Sequence, residues 1–450
     1  MTASNLNNES LRTTFHPPIS VTFKRMEAIA SFSFLAALSV LPFAKAGFEI
    51  LFALTVFFWI LTKATARGSI CTDRVFFAVA SLLLISSSVS AFGSGYPETS
   101  FRGVIKLLKY VLVMLVAMDS FADTNSLKRL FIVGLFGFGL VISDSFIQNM
   151  LGRDLILHHP IQYANERIRL TGPYSSYGLL AAHIIATLPI LVAFLLRKKA
   201  NFGVKEIGAG ILLLAGFYIL YGTQSRGAWL AALASFLIFG VLIRKKWFLI
   251  LLLAGGFALP FAIPRKILFH FDTFHREQSL TERSLLWRRA ISVIKAKPWF
   301  GCGINTYIKN YSKYTQGKEW SAMKEEAAKN EYAHFGEKES WRIPGHPNQI
   351  TDYYVHNGYL QLAAETGLVS LALFLILIGG AFRAGYRVLK YGGGEDRIFS
   401  AALIASFSAL LIQAAVDTTL HNLQSAIMIW FFLGLLMAMG RTLHLGRAER

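Results

Sequence analysis

Apolar runs long enough to cross a lipid bilayer recur along nearly the whole chain, and this limits its possible folds more than any other feature. A span needs about 20 apolar residues in an α-helix, because lipid offers backbone polar groups no partner outside the helix. Segments of that kind lie near 27–44, 48–64, 75–92, 104–120, 130–149, 174–196, 207–223, 227–243, 247–263, 357–382, 399–416 and 422–440. Most carry aliphatic residues on every side rather than in one stripe, as helices in lipid should. Composition agrees: of 450 residues, 54% are hydrophobic and 16% charged, where a soluble protein carries about a quarter charged. A disordered chain is excluded and a soluble globular enzyme is disfavoured. The expectation is an all-α integral membrane protein of about 12 transmembrane helices. It would divide into a nine-helix bundle (1–263), a long outer loop (264–356) and a three-helix bundle with a tail (357–450).

The basic residues set the orientation. With the N-terminus cytoplasmic, the inner connections hold 22 Lys and Arg, and the short outer connections with their adjoining helix ends hold 8. This asymmetry follows the positive-inside rule and puts both termini in the cytoplasm. It also accounts for much of the net charge of +19 without nucleic acid. Residues 1–25 are polar, with Arg12, Lys24 and Arg25 ahead of the first apolar run, which reads as a cytoplasmic tail before an uncleaved first span. The two cysteines, Cys71 and Cys302, fall on opposite sides and form no disulfide framework.

An outer loop of about 90 residues exceeds a simple connector, and loops of that length are functional or folded. A helical pattern runs through Leu285, Leu286, Ala290, Val293 and Ile294 until Pro298, Gly301 and Gly303 break it. A second outer loop, near 150–173, ends in Arg167, Arg169 and Gly172-Pro173.

Three polar features fall on this outer face. Ser225-Arg226-Gly227 forms a tight turn between two hydrophobic helices. Arginine there either reaches a counter-ion or ligand or snorkels to lipid headgroups. Thr281-Glu282-Arg283 precedes Trp287, Arg288 and Arg289. Thr281 or Ser279 is a candidate helix cap, and the alternative to a ligand site is an amphipathic helix lying on the membrane. The third is His356-Asn357 at the return of the long loop to the membrane. His356 is either a general base for a hydroxyl nucleophile or a satisfied interfacial histidine. Two arginines from separate segments can clamp a phosphate or pyrophosphate. His158, His159, His334, His346 and His421 also fall outside, without metal-ligand spacing to carboxylates, so no metal and no cofactor is expected. Without a Walker motif, a GxGxxG or an acidic pair on either face, a lipid-linked donor fits better than a soluble nucleotide sugar.

Gly222-Thr223-Gln224-Ser225-Arg226-Gly227-Ala228-Trp229 resembles the signature of the O-antigen ligase family. So does the stretch from Glu282-Arg283 through Trp287, Ala290, Pro298, Gly301 and Gly303. His356-Asn357 followed at the family's spacing by Gly367-Leu368-Val369-Ser370 is the third match, with Ser370 where Gly or Thr is more usual. The resemblance covers about the second half of the chain by motif. It implies a GT-C-type, inverting, metal-independent glycosyltransferase. Such an enzyme moves a polysaccharide from undecaprenyl pyrophosphate to a sugar of the lipid A core, at the periplasmic face of the bacterial inner membrane. By motif position Arg226 and Arg283 correspond to the pyrophosphate-binding arginines and His356 to the catalytic histidine. Arg169 is a third candidate for donor contact, and Asn357 a candidate to orient the histidine. Asp417 is placed either to pair with an arginine or to cap a helix. The expected partners are the carrier-linked glycan, the lipid A-core acceptor and membrane lipids. Repeat-unit polymerases and protein O-oligosaccharyltransferases share the motifs, and a lipid or polysaccharide transporter is the rival of another class.

Overall fold

The computed structural model describes residues 21–65, 73–121, 124–164, 167–197, 203–245, 273–314 and 354–448. They fall into two compact units, divided between Thr72 and Asp73. In the first, α1 (Val21–Val40) and α2 (Lys45–Thr65) pair. Phe34 and the stacked Phe48 and Phe52 fill their contact, and Thr55 hydrogen-bonds Ser33 at 3.0 Å.

The second unit holds α3 (Arg74–Phe92), α4 (Pro97–Ser120), α5 (Thr124–Leu151), α6 (Tyr177–Leu196), α7 (Val204–Gly222), α8 (Arg226–Ile243) and α9 (Thr273–Ala296). It continues with α10 (Gly358–Tyr391), α11 (Gly394–Ala414) and α12 (Leu423–Ala448). Helices α4, α6, α10, α11 and α12 pack most deeply. Val113–Met118, Leu179–Ala182 and Ala401–Ala405 lie in the interior, while α5 and α7 leave apolar side chains facing outward. Interior surfaces are rich in Ala, Gly and Ser, which lets helix backbones approach closely.

Among the described residues, nine helices are long and apolar enough to cross a membrane, fewer than the expected twelve. Segment 247–263 lies outside the described residues. Helices α1 and α4 form where expected but carry too many charges, Lys24, Arg25 and Glu27 in one and Arg102, Lys106, Lys109 and Asp119 in the other. The all-α expectation also meets an exception. In the α5–α6 connection β1 (Gln162–Ala164) pairs antiparallel with β2 (Arg167–Arg169), Gln162 opposite Arg169. Three-residue strands leave little periodic signal in a sequence.

Helix α10 is broken at Gly367, which has φ 82 and ψ 172. A break within an apolar helix frees backbone groups that must be satisfied by protein. The segment after α9 does this. Cys302 N donates to Ala364 O (3.0 Å), Gly303 N to Glu365 O (2.9 Å), and Leu368 N to Pro298 O (2.8 Å). Ser90 Oγ, from α3, also donates to Glu365 O at 2.8 Å. The approach requires glycine on both sides. A Cβ at Gly367 would lie 2.0 Å from Trp299 O, and one at Gly301 would lie 2.4 Å from the Glu365 backbone. The family-like residues Pro298, Gly301, Gly303 and Gly367 are therefore one device, a backbone knot that fixes α9 against α10. Ser370 bonds Ser86 of α3 at 2.9 Å, so its departure from the usual residue adds a helix–helix hydrogen bond.

Candidate functional site

The knot sets the position of a small core above it. Ala290 and Val293 of α9 cluster with Cys302, Tyr307, Tyr311, Ala364 and Val355, the residue before His356. Arg289 is buried in the same region, its guanidinium 5.5 Å from the Tyr311 ring. Burial lowers its pKa, opposed by Tyr311 and Tyr307. Burial, then Glu365, pushes the Cys302 thiol up to about 12, so it stays protonated.

Glu365 Oε2 accepts from Asn305 N (2.8 Å) and Oε1 from Tyr307 N (3.3 Å), tying segment 303–307 to α10. Helix α9 begins at Thr273, so neither Ser279 nor Thr281 caps it, contrary to the sequence reading. Its start precedes the apolar pattern that marked it. Arg283 is half-buried and Arg288 exposed. Arg283 lies two turns before Ala290 on the same side of α9, the side that packs on α10.

His356 occupies the left-handed region (φ 50) just before the α10 N-terminus. Histidine is among the residues enriched there, at a modest cost. Asn357 caps α10, its Oδ1 accepting from Tyr359 N (3.1 Å) and Leu360 N (3.0 Å). Its side chain therefore serves the helix end, where the sequence reading gave it to the histidine. The group facing His356 is Asp417, with Nδ1 to Oδ1 at 3.6 Å and the two side chains 38% and 31% exposed. Among the described residues Asp417 pairs with the histidine and not with an arginine, and its Oδ1 also accepts from Thr418 N at 2.7 Å.

Asp417 belongs to loop 415–422, between α11 and α12, and this loop is the hub of the site. Asp417 O accepts from Gly358 N at 3.1 Å. A Cβ at Gly178, in the first turn of α6, would lie 2.8 Å from Asp417 Oδ2. A Cβ at Gly227 of α8 would lie 2.8 Å from Val416 Cγ2. The N-termini of α6, α8 and α10 therefore meet at residues 416–417.

One candidate arginine sits on these helix ends and a second lies against them. Arg226 is the first residue of α8 and its side chain is exposed. The preceding turn is held by Trp229, which stacks on Tyr221 with centroids 5.6 Å apart and donates its Nε1 to Leu220 O at 3.0 Å. Gln224 supplies the turn's positive φ, 52. Arg169 ends β2 with its guanidinium 4.4 Å from the centroid of Tyr177, the residue before Gly178. The next residue, Leu170, donates its N to Gly222 O at 2.9 Å, placing the hairpin beside the α7–α8 turn. The Arg169 Nε is buried and meets no hydrogen-bond partner among the described residues. Arg169, Arg226 and His356 are thus gathered round one loop, while Arg283 lies on α9, which packs on α10.

The other end of the loop is polar and covered. His421 Nδ1 lies 3.1 Å from Gln361 Nε2, and its ring centroid is 4.4 Å from that of Tyr354. Lys106 Nζ donates to His421 O at 2.6 Å. Burial, then Lys106, pushes the His421 pKa down to about 3, so this ring is neutral at working pH. Nothing in the sequence distinguished Asp417 or His421 from cap or surface residues. Their roles depend on packing between α4, α10 and the α11–α12 loop.

Among the described residues no group of three or more His, Cys, Asp or Glu is placed to hold a metal ion. His334 and His346 lie outside the described residues, as does Cys71, while Cys302 is a buried free thiol.

The family model described as O-antigen ligase matches residues 209–375, from α7 through the turn at Arg226, α9 and His356 into α10. The chain is 25% identical over 348 residues to the exopolysaccharide production protein ExoQ of Rhizobium meliloti (strain 1021), covering 74% of this chain and 69% of that protein. The chain is a multi-helical membrane protein whose residues 209–375, across its arginine turn and its histidine, match the model of the O-antigen ligase family.

Proposed function

We propose that this protein is an inverting, metal-independent glycosyltransferase that moves a glycan from a polyprenyl-pyrophosphate carrier to a sugar hydroxyl. The acceptor is the lipid A core, and the reaction occurs at the periplasmic face of a bacterial inner membrane with both chain termini cytoplasmic. A twelve-span GT-C arrangement, with 247–263 as a further span, belongs to the same proposal. The observation that carries the reading is the approach of His356 to Asp417 on a loop that also touches the first turns of α6 and α8, beside Arg169 and Arg226.

With Nδ1 turned to the Asp417 carboxylate, Nε2 of neutral His356 is the free base. It takes the acceptor hydroxyl proton as that oxygen attacks the anomeric carbon. The carbon–oxygen bond to the pyrophosphate breaks on the opposite face, and the bonding pair leaves with the phosphate. Arg226, Arg283 and Arg169 stabilise the charge that develops there. The carrier pyrophosphate is a good leaving group and needs no general acid.

A transporter is disfavoured by how the chain uses its intramembrane acids. Asp144 Oδ1 accepts from Leu155 N and Ile156 N, and Glu365 from Asn305 N and Tyr307 N. Both anchor loop backbone, whereas transporters use such groups for ions and substrates.

The test is transfer by the purified protein from a carrier-linked glycan to rough lipopolysaccharide, with and without a chelator. The expected result is glycosylated lipopolysaccharide at equal rates in both. Loss of transfer on chelation would remove the metal-free mechanism, and no transfer at all would remove the ligase reading. The name of the ExoQ relative, an exopolysaccharide production protein, favours a second reading. There the acceptor is another carrier-linked glycan, and chain growth without lipopolysaccharide would select it.

A further inference from the structure

Transfer between two lipid-linked molecules needs two anchoring points flanking the base, and the arginines described above supply one. On the opposite flank of loop 415–422 stands α4, whose Lys106 holds His421 O. Helix α4 carries two parallel stripes. Phe101, Ile105 and Leu108 recur at helical spacing and are exposed, Ile105 at 65%. Arg102, Lys106 and Lys109 form the stripe beside them.

The outer end of the basic stripe joins a second cationic group. Segment 303–313 packs against the start of α4, where a Cβ at Gly103 would lie 2.9 Å from Asn305 Cβ. Lys309 Nζ donates to Thr99 Oγ1 at 2.9 Å, and the ammonium groups of Lys309 and Lys313 lie 5.2 and 4.8 Å from the centre of one ring, Tyr96. Arg102 bonds Glu98 at 2.6 Å. Residues 93–109 and 303–313 contain five basic side chains and that single acid. Short outer connections of membrane proteins are ordinarily poor in Lys and Arg, so a basic surplus here runs against the orientation of the rest of the chain. Directly beneath it the edge-on pair Phe92 and Phe101 (5.0 Å) continues into the exposed apolar stripe.

We propose that this corner of α3, α4 and segment 303–313 binds the phosphate-bearing headgroup of a lipid in the outer leaflet, its acyl chains lying along Phe101, Ile105 and Leu108. Resting on the function proposed above, this lipid is the acceptor. It docks on the α4 side of His356 while the pyrophosphate donor occupies the α6–α8 side. Phosphate at a cluster of ammonium and guanidinium groups forms charge-assisted hydrogen bonds, and the apolar stripe selects a lipid over a free anion.

The test measures binding of phosphorylated lipid A, and of the same lipid after enzymatic dephosphorylation, to the full chain in nanodiscs of phosphatidylcholine. The phosphorylated form is expected to bind about ten-fold tighter. The K309A/K313A double variant should abolish that preference, K309R/K313R should retain it, and His356→Ala should leave it intact. The His356→Ala arm separates this inference from the catalytic reading, because it removes transfer without touching the corner. Equal binding of the two lipids, or an undiminished preference in K309A/K313A, overturns the proposal. Full competition by inorganic phosphate at matched concentration would show an anion site without lipid character and overturn it as well.

Discussion

The knot between α9 and α10 lies within the matched segment 209–375, the mouth extends beyond it to loop 415–422, and the two are made of different materials. At the knot, backbone meets backbone. Gly301 and Gly367 admit the contact by lacking a side chain, and three freed groups of the broken helix, Ala364 O, Glu365 O and Leu368 N, find partners in segment 298–303. At the mouth, side chains face one another at looser distances, such as the 3.6 Å between His356 and Asp417, and the basic groups are partly exposed. The knot spends its glycines on geometry, whereas the mouth presents partly exposed polar side chains. A shared motif therefore contains two kinds of residue, those that build the platform and those that face the substrate.

That division is open to direct attack. His356→Ala should have the largest effect, lowering transfer by about 10²–10⁴ with the membrane level of the protein unchanged, as read by an in vitro transfer assay alongside immunoblotting. Full activity would take His356 out of the chemistry. Gly367→Ala should do the reverse. A Cβ at φ 82 beside Trp299 O should cost about 3 kcal/mol, seen as a lower melting temperature in detergent and reduced yield. An unshifted melting curve would mean that the knot is not rigid.

Asp417→Asn tests the mouth more finely. It should lower kcat by about ten-fold, the scale of losing the carboxylate charge that faces His356 Nδ1, with donor KM little changed. A change in KM alone would make Asp417 a binding residue. Gly178→Ala, which drives a methyl against Asp417 Oδ2, should give a smaller loss of the same kind.

The smallest effect is one of pH. The pKa of His421 is pushed down to about 3 in the folded state, below the ordinary value of about 6.5. Between those values the unfolded chain binds a proton that the folded chain does not, so stability rises with pH across that window and falls as pH drops below about 6.5. His421→Gln should flatten this slope in melting curves taken between pH 5 and 7.5. An unchanged slope would show that the ring is not buried as described.

Parts of this site could be read before any coordinates. Arg226 at a tight turn between short helices, the helix ahead of Pro298, and His356 at the return of the long loop all follow from local pattern. Asn357 was legible as a residue of interest but not as a helix cap, because the alternatives differ only in which backbone amides lie nearby. Asp417 was legible as an acid that pairs or caps, but its partner was not, since an acid near a helix end caps as readily as it pairs. Ser370 looked like a departure from the family and turned out to bond Ser86, a partner far away in the chain.

Transfer free energy is local: each apolar run favours lipid whatever its neighbours in the chain, and each Lys or Arg resists translocation on its own. For that reason the helical membrane character of the chain was contained in the order of residues alone. Which helix ends meet is a property of packing among elements separated by up to hundreds of residues, decided by a few glycines that permit contact and a few buried polar groups that must find partners. Only the folded arrangement could bring Val416 to Gly227, Asp417 to Gly178 and His356, and Lys106 to His421.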